Sequence, residues 1–182
     1  MLHYFIMPLL NLFGWKIESS VPKRERCVIC VAPHTSNVDL WVGLLAFASL
    51  KRGKPHFLMK KEWFRFPLGW FFRLLGGFPV DRSKHTSVTD QMAEHIKHSE
   101  HFVLAVTPEG TRKPNADWKK GFYFIAQKAG VPIQLAYIDY KEKRVGIGME
   151  LVPTGDVDAD MQKIKEFYRG FTGKHPQNFV VD

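Results

Sequence analysis

Residues 27–39 read CVICVAPHTSNVD, and their reading decides the fold. The apolar run from Cys27 to Ala32 is bounded by a breaker, as a strand buried on both faces would be. Pro33 lacks an N–H and ends it. Beyond the turn, residues 38–50 predict a helix, with Leu40, Leu44 and Phe47 on one apolar stripe. Side chains alternate along a strand, so Cys27 and Cys30 point to opposite faces. Their C-x-x-C spacing therefore reads as two core thiols of a reduced, cytoplasmic protein. No second ligand pair follows at metal spacing, so neither a zinc nor a redox role is expected of them.

Working outward, short apolar runs at 56–59, 78–80, 102–106, 132–138 and 144–151 predict further strands. Between them lie helical patterns. One covers 87–99, opened by Ser87 with Asp90 three places on. Another starts near Asp117, carries Trp118, Phe122, Ile125 and Ala129 on one face, and stops at Gly130. The last runs from about Asp156 to Phe171, acidic first and basic last, as the helix dipole favours. Strands alternating with helices predict an α/β fold, a mixed, largely parallel sheet flanked by helices. A length of 182 residues fits one domain, 1–182.

Residues 1–25 form an apolar N-terminal segment within it. Its start, MLHYFIMPLLNLFGWK, is too short to span a bilayer and is interrupted by Pro8. It has neither a basic leader nor a small-residue cleavage site. Lying in a membrane interface and packing on the domain's own core both suit it.

The formal net charge is +8, which suits a partner carrying phosphate or an anionic surface. A nucleic-acid partner is not expected, because no recognition helix or aromatic sheet motif is present and the aromatics sit in apolar runs.

In open α/β sheets, sites collect beyond the carboxyl ends of the strands. Three loops qualify, after Ala32, Val80 and Val106. The first holds His34 and Asp39. At a strand-to-helix turn Asp39 can reach back from the helix's first turn to one imidazole nitrogen, fixing its tautomer while the other takes a proton. A helix cap beside a surface histidine fits the same two residues. There is no G-x-S-x-G nucleophile elbow, and Ser36 is too close in sequence for a convincing triad. A base acting on the substrate's own hydroxyl fits what remains. The third loop, Thr107 to Lys113, offers Glu109 as an acceptor, Gly110 for close backbone approach and Arg112 as a fork for phosphate. The second supplies Asp81 and Arg82.

His34-x4-Asp39, then Phe78-Pro79-Val80-Asp81-Arg82, then Pro108-Glu109-Gly110-Thr111-Arg112, then Val131-Pro132-Ile133 occur in that order. Together they resemble the four blocks of the glycerolipid acyltransferase family that includes 1-acylglycerol-3-phosphate acyltransferases. The resemblance implies that family's glycerol-3-phosphate acyltransferase-like fold. It implies His34 as general base on a lysophospholipid hydroxyl, with Asp39 as its orienter. The acyl chain would come from acyl-CoA or acyl carrier protein, with no cofactor and no metal. Arg82 would bind the acceptor's phosphate, and Glu109, Gly110, Thr111 and Arg112 would line the acceptor site. Val131, Pro132 and Ile133 would shape the acyl-donor side. The reaction would belong to phospholipid biosynthesis at the cytoplasmic face of a membrane. Thr107 departs from the aromatic residue usual before Pro-Glu-Gly, and Gln134 and Ala136 depart from a more apolar last block. These changes bear on which head group fits; another lysolipid or lyso-aminolipid acceptor, or a transacylase reaction, keeps the same chemistry.

Residues 60–73, KKEWFRFPLGWFFR, alternate aromatics with Lys and Arg. Aromatic rings prefer the headgroup level and basic side chains reach anionic phosphates. Peripheral or monotopic attachment to anionic lipids through this stretch and the N-terminal segment is therefore expected.

Overall fold

A computed structural model describes residues 10–52, 54–65, 69–80 and 87–182. In chain order the strands are β1 (Lys16–Ser19), β2 (Arg26–Ala32), β3 (Phe57–Lys60), β4 (Gly77–Val80), β5 (Phe102–Val106), β6 (Ile133–Asp139) and β7 (Arg144–Leu151). The helices are α1 (Val38–Ser49), α2 (Gly69–Leu75), α3 (Val88–Lys97), α4 (Gly121–Ala129) and α5 (Val157–Tyr168).

The quoted strand β2 is central. The main sheet has the order β1-β7-β6-β2-β5, with β2 parallel to both β5 and β6. β7 runs antiparallel to β6, and β1 parallel to β7. β3 and β4 form a parallel pair, joined to β5 by a single parallel bridge between His56 and Leu104. The sheet is thus mixed and mostly parallel, flanked by helices, as the strand–helix alternation predicts.

A central parallel strand has helices on both faces, which is why its run is continuously apolar. On one face Val28, Cys30 and Ala32 pack with residues of α3, α4 and α5. On the other, Cys27 and Ile29 pack with Phe47 of α1, and Val42 and Ala46 of the same helix cover Ile138 and Val145. The two thiols do lie on opposite faces, free and buried. Burial pushes Cys27 up to about 12 and Cys30 higher still, so both stay protonated and inert.

Local signals hold in several places. The Ser87 hydroxyl caps α3 by accepting from Asp90 N–H, and Gly130 ends α4 at φ +67°. The Asp156 carboxylate accepts from Ala159 N–H at the start of α5. The exceptions have identifiable causes. α4 begins at Gly121 rather than near Asp117, because Lys119 N–H is drawn to Pro108 O at 2.7 Å instead of to a carbonyl of a helical turn. The Leu40, Leu44, Phe47 stripe is divided. Phe47 is buried, while Leu40 lies 39% exposed where α1 begins beyond the end of the sheet. Residues 1–9 of the N-terminal segment lie outside the described residues; of the rest, Leu10 is buried and Leu12 and Phe13 are exposed. Among the described residues no helix is long and apolar enough to cross a membrane.

Tyr168, fully buried at the end of α5, fastens that helix to the sheet. Its hydroxyl donates to Cys30 O at 2.6 Å, with Ala136 O 3.1 Å away. Tyr168→Phe should cost about 1–3 kcal/mol by leaving a buried carbonyl short of a donor. Urea unfolding checks this: the midpoint is expected to fall with an unchanged slope, and an unmoved midpoint would mean the hydroxyl is idle.

Candidate active site

β2 delivers the His34 loop beyond its carboxyl end, and β5 delivers the Pro108–Glu109–Gly110 turn beside it, because the two strands are parallel neighbours. Asp39 sits in the first turn of α1, and its carboxylate folds back over the loop. Oδ2 accepts from Thr35 N–H and Ser36 N–H, both at 2.8 Å, and lies 3.2 Å from His34 Nδ1. Oδ1 accepts from the Tyr140 hydroxyl at 2.7 Å. Burial works against this carboxylate's charge, but the donors from His34, Tyr140 and Ser36 outweigh it and hold Asp39 below the usual carboxylate range. The same carboxylate thereby shapes the loop and orients the imidazole.

Glu109 is buried beneath the loop. Its Oε1 accepts from His34 N–H at 2.8 Å, while Oε2 is buried with no partner among the described residues. Burial pushes this carboxyl upward, with the His34 N–H opposing. Asn115 Nδ2 donates to Glu109 O at 2.7 Å, and Gly110 takes φ +65°, a conformation that suits glycine. The two loops are thus one unit, pinned through the backbone of His34.

A cleft of about 660 Å³ opens beside them, lined mostly by aliphatic and aromatic side chains. His34, Asp39, Gly110 and Arg112 line it, and Leu44 and Phe47 of α1 and Phe122 of α4 continue its apolar walls. Its size is that of an ordinary small-molecule site. Thr107 lines it as well, where a bulkier aromatic would take up room.

The other anticipated residues fall elsewhere. Glu109 lies under the His34 backbone rather than on the cleft wall. Thr111 is half-buried and turns its hydroxyl to Lys113 N–H at 3.2 Å. Arg82 lies outside the described residues. Val131, Pro132 and Ile133 are not brought to His34: Ile133 pairs with Val28, whereas Tyr137 pairs with Ala32 at the His34 end. Four residues of strand separate them, about 13 Å. There Val131 and Ile133 are core, and Pro132 O accepts from Val28 N–H. A Pro-containing strand start is as good a device for seating β6 as for meeting a ligand. Gln134 is also structural, donating to Pro22 O and Glu150 and accepting from Arg52 in a buried polar network.

Sequence reasoning missed Tyr140 and a C-terminal strap, residues 173–175, that lies against Thr35. Tyr140 directly follows β6, at the same sheet end as His34, so the strand pattern alone could have suggested it. Thr35 Oγ1 accepts from His175 N–H at 3.1 Å, and a side chain on Gly173 would meet Thr35 at 2.8 Å. No local signal marks that contact.

Asp39 yields a pH test. Its folded-state pKa is lowered, so its contribution to stability is complete above the unfolded value of about 4 and is lost as pH falls through the lower folded value. The stability gap between wild type and Asp39→Asn in urea unfolding should be widest near neutrality and close on acidification. A gap that widens in acid would contradict this.

The sequence model of a family described as Acyltransferase matches residues 16–138. A 1-acyl-sn-glycerol-3-phosphate acyltransferase of Streptococcus pneumoniae (strain ATCC BAA-255 / R6) is 30% identical over 142 residues, covering 73% of this chain and 52% of its own. One from Saccharomyces cerevisiae (strain ATCC 204508 / S288c) is 30% identical over 142 residues, covering 71% of this chain and 44% of its own. The chain thus spans about half the length of these curated relatives.

Proposed function

The chain belongs to the acyltransferase family, and from that premise we propose that it moves a fatty acyl chain from a thioester to the hydroxyl of a lysophospholipid, 1-acylglycerol-3-phosphate being the favoured acceptor. One observation carries the proposal: His34 Nδ1 is held 3.2 Å from a buried Asp39 carboxylate at the edge of an apolar cleft.

With Nδ1 engaged, Nε2 is the nitrogen for the acceptor. It takes the hydroxyl proton as the acceptor oxygen attacks the thioester carbonyl. The new C–O bond forms, the C–S bond breaks, and the sulfur leaves as a thiol carrying the proton that His34 accepted. Asp39 stabilises the imidazolium between these two transfers. No covalent enzyme intermediate is needed. The apolar cleft walls suit an acyl chain, and Arg112 on its lining suits the acceptor's phosphate as a bidentate donor. Arg82 is a second phosphate ligand in this reading. Both relatives are named for the same acceptor. The donor is acyl-CoA or acyl carrier protein, and no metal or other cofactor takes part.

In this reading the enzyme works at an anionic membrane surface, on its cytoplasmic face. Residues 61–75 support peripheral attachment, since Trp63, Trp70, Phe71 and Leu74 are exposed there beside Lys61, Arg65 and Arg73. Thr107 on the cleft lining favours a second reading with a different lysolipid head group.

Purified protein, acyl-CoA and 1-acylglycerol-3-phosphate in mixed micelles should release free thiol and form diacyl product. His34→Ala should slow this by about 10²–10⁴-fold. Equal rates in wild type and variant would overturn the mechanism; silence with this acceptor but turnover with another lysolipid would move the head group to the second reading.

A further inference from the structure

α1 is apolar on every side. Its one charged side chain, Asp39, is buried, and its Ser49 hydroxyl is buried and bonded to Leu45 O at 2.9 Å. Surface helices normally turn a polar face to water. Here Val42, Ala46 and Phe47 pack inward, while Val38 is 39%, Leu40 39% and Trp41 53% exposed. A second exposed apolar group lies near the same end of the sheet: Leu12 at 80% and Phe13 at 62%. Contacts connect the two groups. Lys143 Nζ donates to Phe13 O at 3.2 Å, Trp15 meets Tyr140 edge-on at 5.1 Å, and Tyr140 donates to Asp39 in the first turn of α1. Lys16, Lys141 and Lys143 are exposed in this region, with Glu18 and Glu142 beside them, on a chain of net charge +8.

We propose that the first turns of α1, together with Leu12 and Phe13, are the face on which the protein rests on an anionic bilayer, with the cleft mouth beside His34 turned toward the hydrocarbon. This face is built from other residues than the aromatic and basic stretch named above. Exposed apolar residues edged by lysines match an interfacial membrane contact, with Trp41 at headgroup level. Leu40 is both exposed and part of the cleft lining. A lipid chain passing it moves from bilayer to cleft along a continuous apolar path. What enters the cleft rests on the acyl-transfer reading; the contact face rests on exposure and charge.

The full chain is mixed with vesicles of phosphatidylcholine and phosphatidylglycerol at physiological salt and separated by flotation. Trp41→Asp and Phe13→Asp should each lower the vesicle-bound fraction at least about tenfold. Turnover of a short-chain, water-soluble lysolipid should be unchanged, because neither side chain belongs to the cleft. Trp41→Ser serves if the aspartate variant misfolds. Undiminished flotation in these variants overturns the proposal. So does a wild-type dimer that Trp41→Asp dissolves, which would assign this face to a second copy of the chain. Wild type that floats through these residues without transferring acyl groups supports the face and sinks the reaction. Wild type that acylates soluble lysolipid but never floats does the reverse.

Discussion

A buried carboxylate must be supplied with donors, and the way Asp39 meets that requirement organises the whole sheet end. Two backbone N–H groups of the His34 loop, an imidazole and a distant phenol converge on its two oxygens. They come from the end of β2, the start of α1 and the segment after β6. Glu109 adds the loop after β5 through its bond to His34 N–H. The hydrogen bonds that keep Asp39 ionised also fix which imidazole nitrogen is engaged. Structural satisfaction and chemical readiness are the same set of contacts.

The sheet places these groups at one end, and parallel pairing is what makes that possible. β2, β5 and β6 point the same way, so their carboxyl-end loops meet without any long excursion. The cleft beside them lies between the sheet and helix α1 on one face, and reaches α4 on the other. A site built from short loops on buried strands gains rigidity from the core. The C-terminal strap adds to it by holding Thr35 through His175 N–H.

Much of this was legible in the sequence where the cause is local. The Cys27–Ala32 run announces a strand covered on both faces, Ser87 and Gly130 mark helix ends, and His34 with Asp39 fits a strand-to-helix turn. Where the cause is remote, the sequence is silent. Tyr140 reaches Asp39 across 101 positions. Lys119 shortens α4 because Pro108 offers it a carbonyl, and Val131–Pro132–Ile133 turns out to seat β6 far from His34. Leu40 illustrates a subtler limit. Periodicity identifies an apolar stripe but not whether sheet, cleft or lipid lies against it.

The central claim is that Asp39 holds His34 with its proton on Nδ1, leaving the Nε2 lone pair for a hydroxyl. Nitrogen-15 NMR of the imidazole, assigned with His34→Ala, tests this directly. With the ring neutral, the account predicts one tautomer, protonated at Nδ1, and loss of that preference in Asp39→Ala. A ring protonated at Nε2, or one averaging both tautomers in the wild type, would contradict it.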